Sequence, residues 1–202
     1  MKKTVLILAI LMTVSNIRAA INPQYGFEDK LPSFLSVNGD AAIELSSDKF
    51  KEGKHSVRFT WNGPSELVFS NFADIESSLK VNDAGIMMWV YNTEPMKDPL
   101  RFTILDWNMN EICHFDFNAD FKGWRAIWMK YIDMLTPTGH YGDLKLKDRA
   151  TGAAGMIMKV PESSPSGTIY IDRVTFSRTR LHNQITPDKQ IPENNYNLER
   201  DM

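Results

Sequence analysis

Short runs in which apolar and polar residues alternate recur along most of the chain, and they predict strands rather than helices. In His55-Ser56-Val57-Arg58-Phe59-Thr60-Trp61, the residues Val57, Phe59 and Trp61 share one face. Phe102 and Ile104 do the same in 101–105, and Cys113, Phe115 and Phe117 alternate with His114 and Asp116. Segments 124–131 and 168–176 are dominated by β-branched and aromatic residues. Residues 85–91 are almost continuously apolar, the pattern of a strand buried on both faces. Turn signals separate the runs: Asn38-Gly39-Asp40, Glu52-Gly53-Lys54, Asn62-Gly63-Pro64, Lys122-Gly123, Thr138-Gly139 and Ser163-Ser164-Pro165-Ser166-Gly167. No window as long as about twelve residues carries a helical stripe. The pattern predicts an all-β, antiparallel sandwich.

The two ends depart from this pattern. Lys2 and Lys3 precede the apolar run 5–12, which is far short of the about 20 residues needed to cross a bilayer, and Ala19-Ala20 follow. A basic start, a short greasy stretch and small residues mark 1–20 as a secretory signal peptide, although Arg18 or Ile17 falls where a small residue is usual. The chain is therefore expected to be exported, to the periplasm or beyond the cell, with no membrane span. Residues 21–180 form the body. Residues 181–202 are polar and Pro-punctuated, and read as a linker towards a further domain.

Composition narrows the function only by exclusion. The 202 residues are 43% hydrophobic, with a formal charge of −2. Removing 1–20 takes away three basic residues and no acidic ones, leaving about −5. That balance argues against nucleic acid as a partner and against strong electrostatic capture of a polyanion. The size suits one monomeric domain. Cys113 is the one cysteine, so no internal disulfide forms.

The chemistry-bearing residues point weakly to catalysis. His55, His114, His140 and His182 occupy no paired metal motif, and there is no nucleophile elbow, phosphate loop or dinucleotide fingerprint. His140-Tyr141 is the one local pair with base and acid character, and a surface turn explains it equally well. Glu28-Asp29 and Asp116/Asp120 have the chemistry of glycosidase carboxylates, but sequence spacing does not place them across a cleft. A hard-cation site is better motivated. If the first and last strands lie side by side, Glu28 and Asp172 face each other, and the turn at 53–56 can add carbonyl oxygens. Among the tryptophans, Trp61, Trp89 and Trp124 are expected in the core, whereas Trp107, in Asp106-Trp107-Asn108-Met109-Asn110, is the best exposed stacking residue for a sugar ring. Lys122 and Arg125 head a basic cluster with Lys130, Lys145, Lys147 and Arg149 that either meets a polyanion or is a solvated face.

The order of several segments resembles the N-terminal domain of the chondroitin sulfate ABC lyases, of polysaccharide lyase family eight. The matching pieces are Gly26-Phe27-Glu28, residues 52–61 (Gly53-Lys54-His55-Ser56 through Trp61), Met88-Trp89-Val90-Tyr91-Asn92, Phe121-Lys122-Gly123-Trp124-Arg125 and residues 167–177 around Tyr170-Ile171-Asp172-Arg173. The resemblance implies an antiparallel jelly-roll sandwich of galactose-binding-like form, ahead of an α/α-toroid catalytic domain of the same protein. Such enzymes cleave glycosaminoglycans by β-elimination. Since the toroid is expected beyond residue 202, no catalytic residue carries over, and this chain by itself is expected to be non-catalytic. What does carry over is a structural cation site, for Ca²⁺ with Na⁺ as the alternative, mapping onto the main-chain oxygens of Gly26, His55 and Arg58 and the carboxylates of Glu28 and Asp172. The expected ligand is chondroitin or dermatan sulfate, with Trp107, Lys122 and Arg125 as candidate sugar contacts. Two rival readings are a free-standing module for neutral glycans and a packing domain that binds no sugar.

Overall fold

The computed structural model describes residues 24–70, 79–150 and 152–177. The expected signal peptide and the expected linker lie outside these residues. Among the described residues eleven strands follow in chain order: β1 (Gln24–Tyr25), β2 (Leu35–Ser46), β3 (Ser56–Ser70), β4 (Gly85–Asn92), β5 (Leu100–Leu105), β6 (Glu111–Phe117), β7 (Gly123–Lys130), β8 (Leu135–Thr136), β9 (Gly139–His140), β10 (Gly155–Lys159) and β11 (Ser166–Ser177). Two 3₁₀ turns, Tyr131–Asp133 and Tyr141–Asp143, are the described helical pieces. Among the described residues no helix is long and apolar enough to cross a membrane.

All pairings are antiparallel, and the strands run β7-β4-β11-β3-β10-β5-β6-β8-β9, with β2 beside β3 and β1 beside β11. This path curls into two facing halves because β3 serves both. Its first part pairs with β11, from Val57↔Ile171 to Asn62↔Ser166, and its last part pairs with β10, from Glu66↔Lys159 to Ser70↔Gly155. The crease falls at Gly63-Pro64, with Gly63 at φ 117°. Here the sequence reading needs correcting: Asn62-Gly63-Pro64 and Asn38-Gly39-Asp40 are not turns between strands but corners inside β3 and β2. They lie against each other, with Gly39 paired to Ser65 and a register shift before Ala41. At Gly39, with φ 84°, a β-carbon would sit 2.3 Å from the Pro64 carbonyl, so two neighbouring strands bend together only with glycine there.

Alternation sorts the side chains as expected. Val57, Phe59, Trp61, Phe102, Ile104, Cys113, Phe115 and Phe117 all enter one core between the halves. The Trp61 indole N–H donates to the Ser164 carbonyl at 2.9 Å, and its ring stacks on Phe59 at 5.4 Å. Burial pushes the Cys113 thiol far up, which keeps it inert. β4 is buried along its whole length, as its continuous apolar run requires. Ile86, Met88 and Val90 face the main core, while Met87, Trp89 and Tyr91 join Trp124, Ala126, Trp128 and Tyr170 in a second cluster on the outer side. Trp61, Trp89 and Trp124 are therefore core residues.

Candidate cation and sugar sites

The first and last described strands do meet: Gln24 pairs with Thr175 and Tyr25 with Val174. Beyond β1 the chain buries Phe27 and then presents Glu28. On β11, one extra residue between Asp172 and Thr175 forms a bulge, with Arg173 at φ 50°. Val174 and Phe176 thereby stay in the core in phase with Ile169 and Ile171, and Asp172 is left at the end of the β3 ladder.

The connection between β2 and β3 closes over this point. Asp172 Oδ2 accepts the backbone N–H groups of Lys51 at 2.7 Å and Glu52 at 2.9 Å. The Lys51 ammonium lies 4.5 Å from the ring centre of Trp89, the residue paired with Asp172. Glu28 Oε2 accepts the N–H of Lys54 at 2.9 Å and lies 3.9 Å from His55 Nδ1. Its carboxylate fills the space above Gly53, where a β-carbon would be 1.8 Å from Oε1. Arg173 is buried and forms an ion pair with Glu52.

Burial governs the electrostatics of this site. Asp172 is buried, and burial pushes its carboxyl up to about 6. The N–H groups of Lys51 and Arg173 work against that rise, and the Glu28 charge adds to it. Two carboxylates close enough for the Glu28 charge to raise Asp172, beside a loop of main-chain oxygens, have the donor chemistry of a hard-cation site. Among the described residues no three His, Cys, Asp or Glu side chains cluster for a metal, so main-chain oxygen must supply most ligands of any cation here. Glu28, His55 and Asp172 come together. Gly26 lies two residues before Glu28, and Arg58 stands within β3 between Glu44 and Tyr170, its guanidinium on Glu44 at 3.1 Å. The contributions of Lys51, Glu52, Lys54 and Arg173 were not visible in the sequence beyond a Gly-containing turn at 52–54.

A pH profile checks the buried carboxyl. Unfolded, Asp172 titrates at the ordinary aspartate value of 3.8, and folded at about 6. Between those values the native state holds the extra proton, so stability increases as pH falls through about 6 and levels off near 4. In chelator, the melting temperature is expected to rise between about pH 7 and pH 5, and Asp172→Asn to remove that part of the slope. An identical slope in the variant would contradict the assignment.

The comparison with family models decides the family: residues 22–193 match the model described as "Lyase, N terminal". The chain belongs to the lyase N-terminal domain family. A relative, the chondroitin sulfate ABC exolyase of Proteus vulgaris, is 26% identical over 171 residues; the match covers 83% of this chain and 16% of that enzyme. This lyase N-terminal domain also shares its fold with solved carbohydrate-binding modules. A family 30 module aligns with TM-score 0.58 at 8% identity, covering 86% of this chain and 95% of the module. The family 11 module of cellulosomal cellulase Lic26A-Cel5E of Clostridium thermocellum gives TM-score 0.54 at 13% identity, covering 81% and 98%. The antiparallel jelly-roll sandwich is thus established.

The candidate sugar contacts of this lyase N-terminal domain do not share one face. Trp107 is 60% exposed in the β5–β6 turn. The Asp106 carboxylate holds that turn by accepting the N–H groups of Asn108 and Asn110, each at 2.8 Å, and the Asn110 bond in particular keeps it below the usual carboxylate range. Lys122, before β7 at the opposite end of the strand path, is exposed and paired with Glu94 at 2.7 Å. Arg125 is not on the surface. Its guanidinium lies 4.0 Å from the Phe121 ring centre and donates to the Asn118 carbonyl at 3.1 Å. Arg149 is likewise buried, on Asn82 Oδ1 and the Gly142 carbonyl, so the basic cluster of the sequence is not one solvated patch. Tyr141 is buried while its neighbour His140 is exposed, which separates that pair.

Proposed function

We propose that this chain is the exported, non-catalytic leading domain of a glycosaminoglycan lyase, and that it helps place polysaccharide against an α/α-toroid domain of the same protein. The observation that carries this reading is the family match over 22–193 to a domain that makes up 16% of a chondroitin sulfate ABC exolyase. On this reading the whole protein cleaves chondroitin or dermatan sulfate by β-elimination, and the domain is held together by Ca²⁺ between Glu28 and Asp172. The test compares the chain alone with the full reading frame on chondroitin sulfate, following the ultraviolet absorbance of unsaturated uronate. Product is expected only from the longer protein. Product from this chain alone would overturn the non-catalytic assignment.

The exposure of Trp107 favours a second reading, a module that stacks on neutral glycan. On that reading, Trp107→Ala weakens binding of a neutral oligosaccharide by roughly 1–3 kcal/mol, about fivefold to 150-fold, in calorimetric titration. An unchanged affinity would exclude Trp107 as a contact.

A further inference from the structure

The outer sides of the two sandwich halves differ in kind. On the β7-β4-β11 half the outer side is the buried aromatic cluster of Trp89, Trp124, Trp128 and their neighbours. On the β2-β3-β10-β5-β6 half the register lines up a polar row. Asn38 is opposite Glu66, Glu66 opposite Lys159, Lys159 opposite Arg101, and Arg101 opposite Asp116. The sequence neighbours Leu67, Met158, Phe102, Phe115 and Phe117 are buried in the core, so the row stands on the outside. At a strand spacing of about 4.8 Å it spans roughly 19 Å, the reach of a short oligosaccharide.

The row is preorganised at both ends and open in the middle. Asn38 Nδ2 donates to Glu66 Oε2 at 3.0 Å, and Arg101 grips Asp116 with Nε and Nη2 at 2.8 and 3.0 Å. Lys159 is exposed, and among the described residues its ammonium makes no ion pair. Beside it a groove of about 220 Å³ is walled by Pro99, Pro161 and Glu162, with Arg101 and Asp116 in its lining. The next row along the strands, Ser36, Val68, Ile157, Thr103 and His114, is half-buried apart from exposed Ser36, with a flat apolar centre.

A pyranose has an apolar C–H face and a rim of hydroxyls that each donate and accept. Val68, Ile157 and the Thr103 methyl match the face. Glu66 and Asp116 accept where Lys159 and Arg101 donate, and bonds to charged partners are the stronger kind. Counting Glu162, three carboxylates stand against two cations, which disfavours a sulfated chain. We propose that this outer sheet face is a binding platform for an uncharged, hydroxyl-rich saccharide segment, recognised through its hydroxyls and not through sulfate.

This rests on the carbohydrate-binding reading above, and one experiment separates the two. The ¹⁵N-labelled full chain is titrated with a neutral β-linked glucan oligosaccharide and with a chondroitin sulfate oligosaccharide, at low and high salt, with Lys159→Met and Arg101→Met alongside. The neutral probe is expected to shift amides of β3, β10, β5 and β6 around the row. Its affinity should change less than about twofold with salt, and each variant should weaken it roughly tenfold or more with little change in melting temperature. Asp116→Asn gives the same reading should Arg101→Met lose its fold. Neutral-glucan binding that survives all three variants overturns the platform and leaves the carbohydrate reading standing. Salt-sensitive binding of chondroitin sulfate alone overturns the uncharged class only, and no binding of either probe overturns both.

Discussion

Trp61→Ala is expected to lower the melting temperature of this domain by roughly 10 °C. The indole is fully buried next to the crease of β3, where the sandwich folds over, and is held on one side by Phe59 and at its edge by the Ser164 carbonyl. Truncating a buried tryptophan costs about 3–5 kcal/mol, because the lost transfer energy is joined by a cavity that the surrounding sheet cannot fill. For a domain of this size each kcal/mol is worth about 2–4 °C. Gly167 provides an independent check on the same packing. A β-carbon there would come within 2.2 Å of Trp61 Cζ2, so Gly167→Ala must displace the ring and should cost about 1–3 kcal/mol by overpacking. Thermal unfolding followed by circular dichroism measures both. A loss below about 3 °C for Trp61→Ala would mean that the crease does not depend on this residue.

The second large effect concerns the cation. If the proposed site holds Ca²⁺, the folded state is expected to gain about 2.7 kcal/mol, or roughly 5–10 °C, at about 100 times the dissociation constant, all of it removed by chelator. Asp172→Ala and Glu28→Ala should each abolish that gain. In chelator, however, Asp172→Asn should melt no lower than the parent, since it removes a buried charge whose carboxyl is already pushed up to about 6. Opposite outcomes for one position, with and without Ca²⁺, distinguish a cation ligand from a residue that merely packs. An unchanged melt on adding Ca²⁺ would be enough to discard the site.

Much of the fold could be read along the chain because it depends on local alternation. Val57, Phe59 and Trp61, or Cys113, Phe115 and Phe117, can share a face only as strands, and the unbroken run of β4 demanded cover on both sides. Glycine-containing turns were less informative. Gly53 does mark the connection that reaches Asp172, whereas Gly39 and Gly63 mark corners inside strands, since a left-handed φ serves a bend as well as a reversal. Arg125 illustrates another limit. Its charge suggested a surface contact, but its place in β7 turns it inward over Phe121, where its aliphatic stem and cation pack.

From its order of residues alone, this protein had to be an antiparallel β structure with a tryptophan-rich interior, because period-two patterning is a property of neighbours in sequence. The sequence put Glu28 beside Asp172 only on condition that the end strands meet; that they do meet, and that Asn38, Glu66, Lys159, Arg101 and Asp116 form one row, was decided by tertiary structure. Those residues are brought together by strand register, and register depends on bulges, corners and packing that no single segment contains.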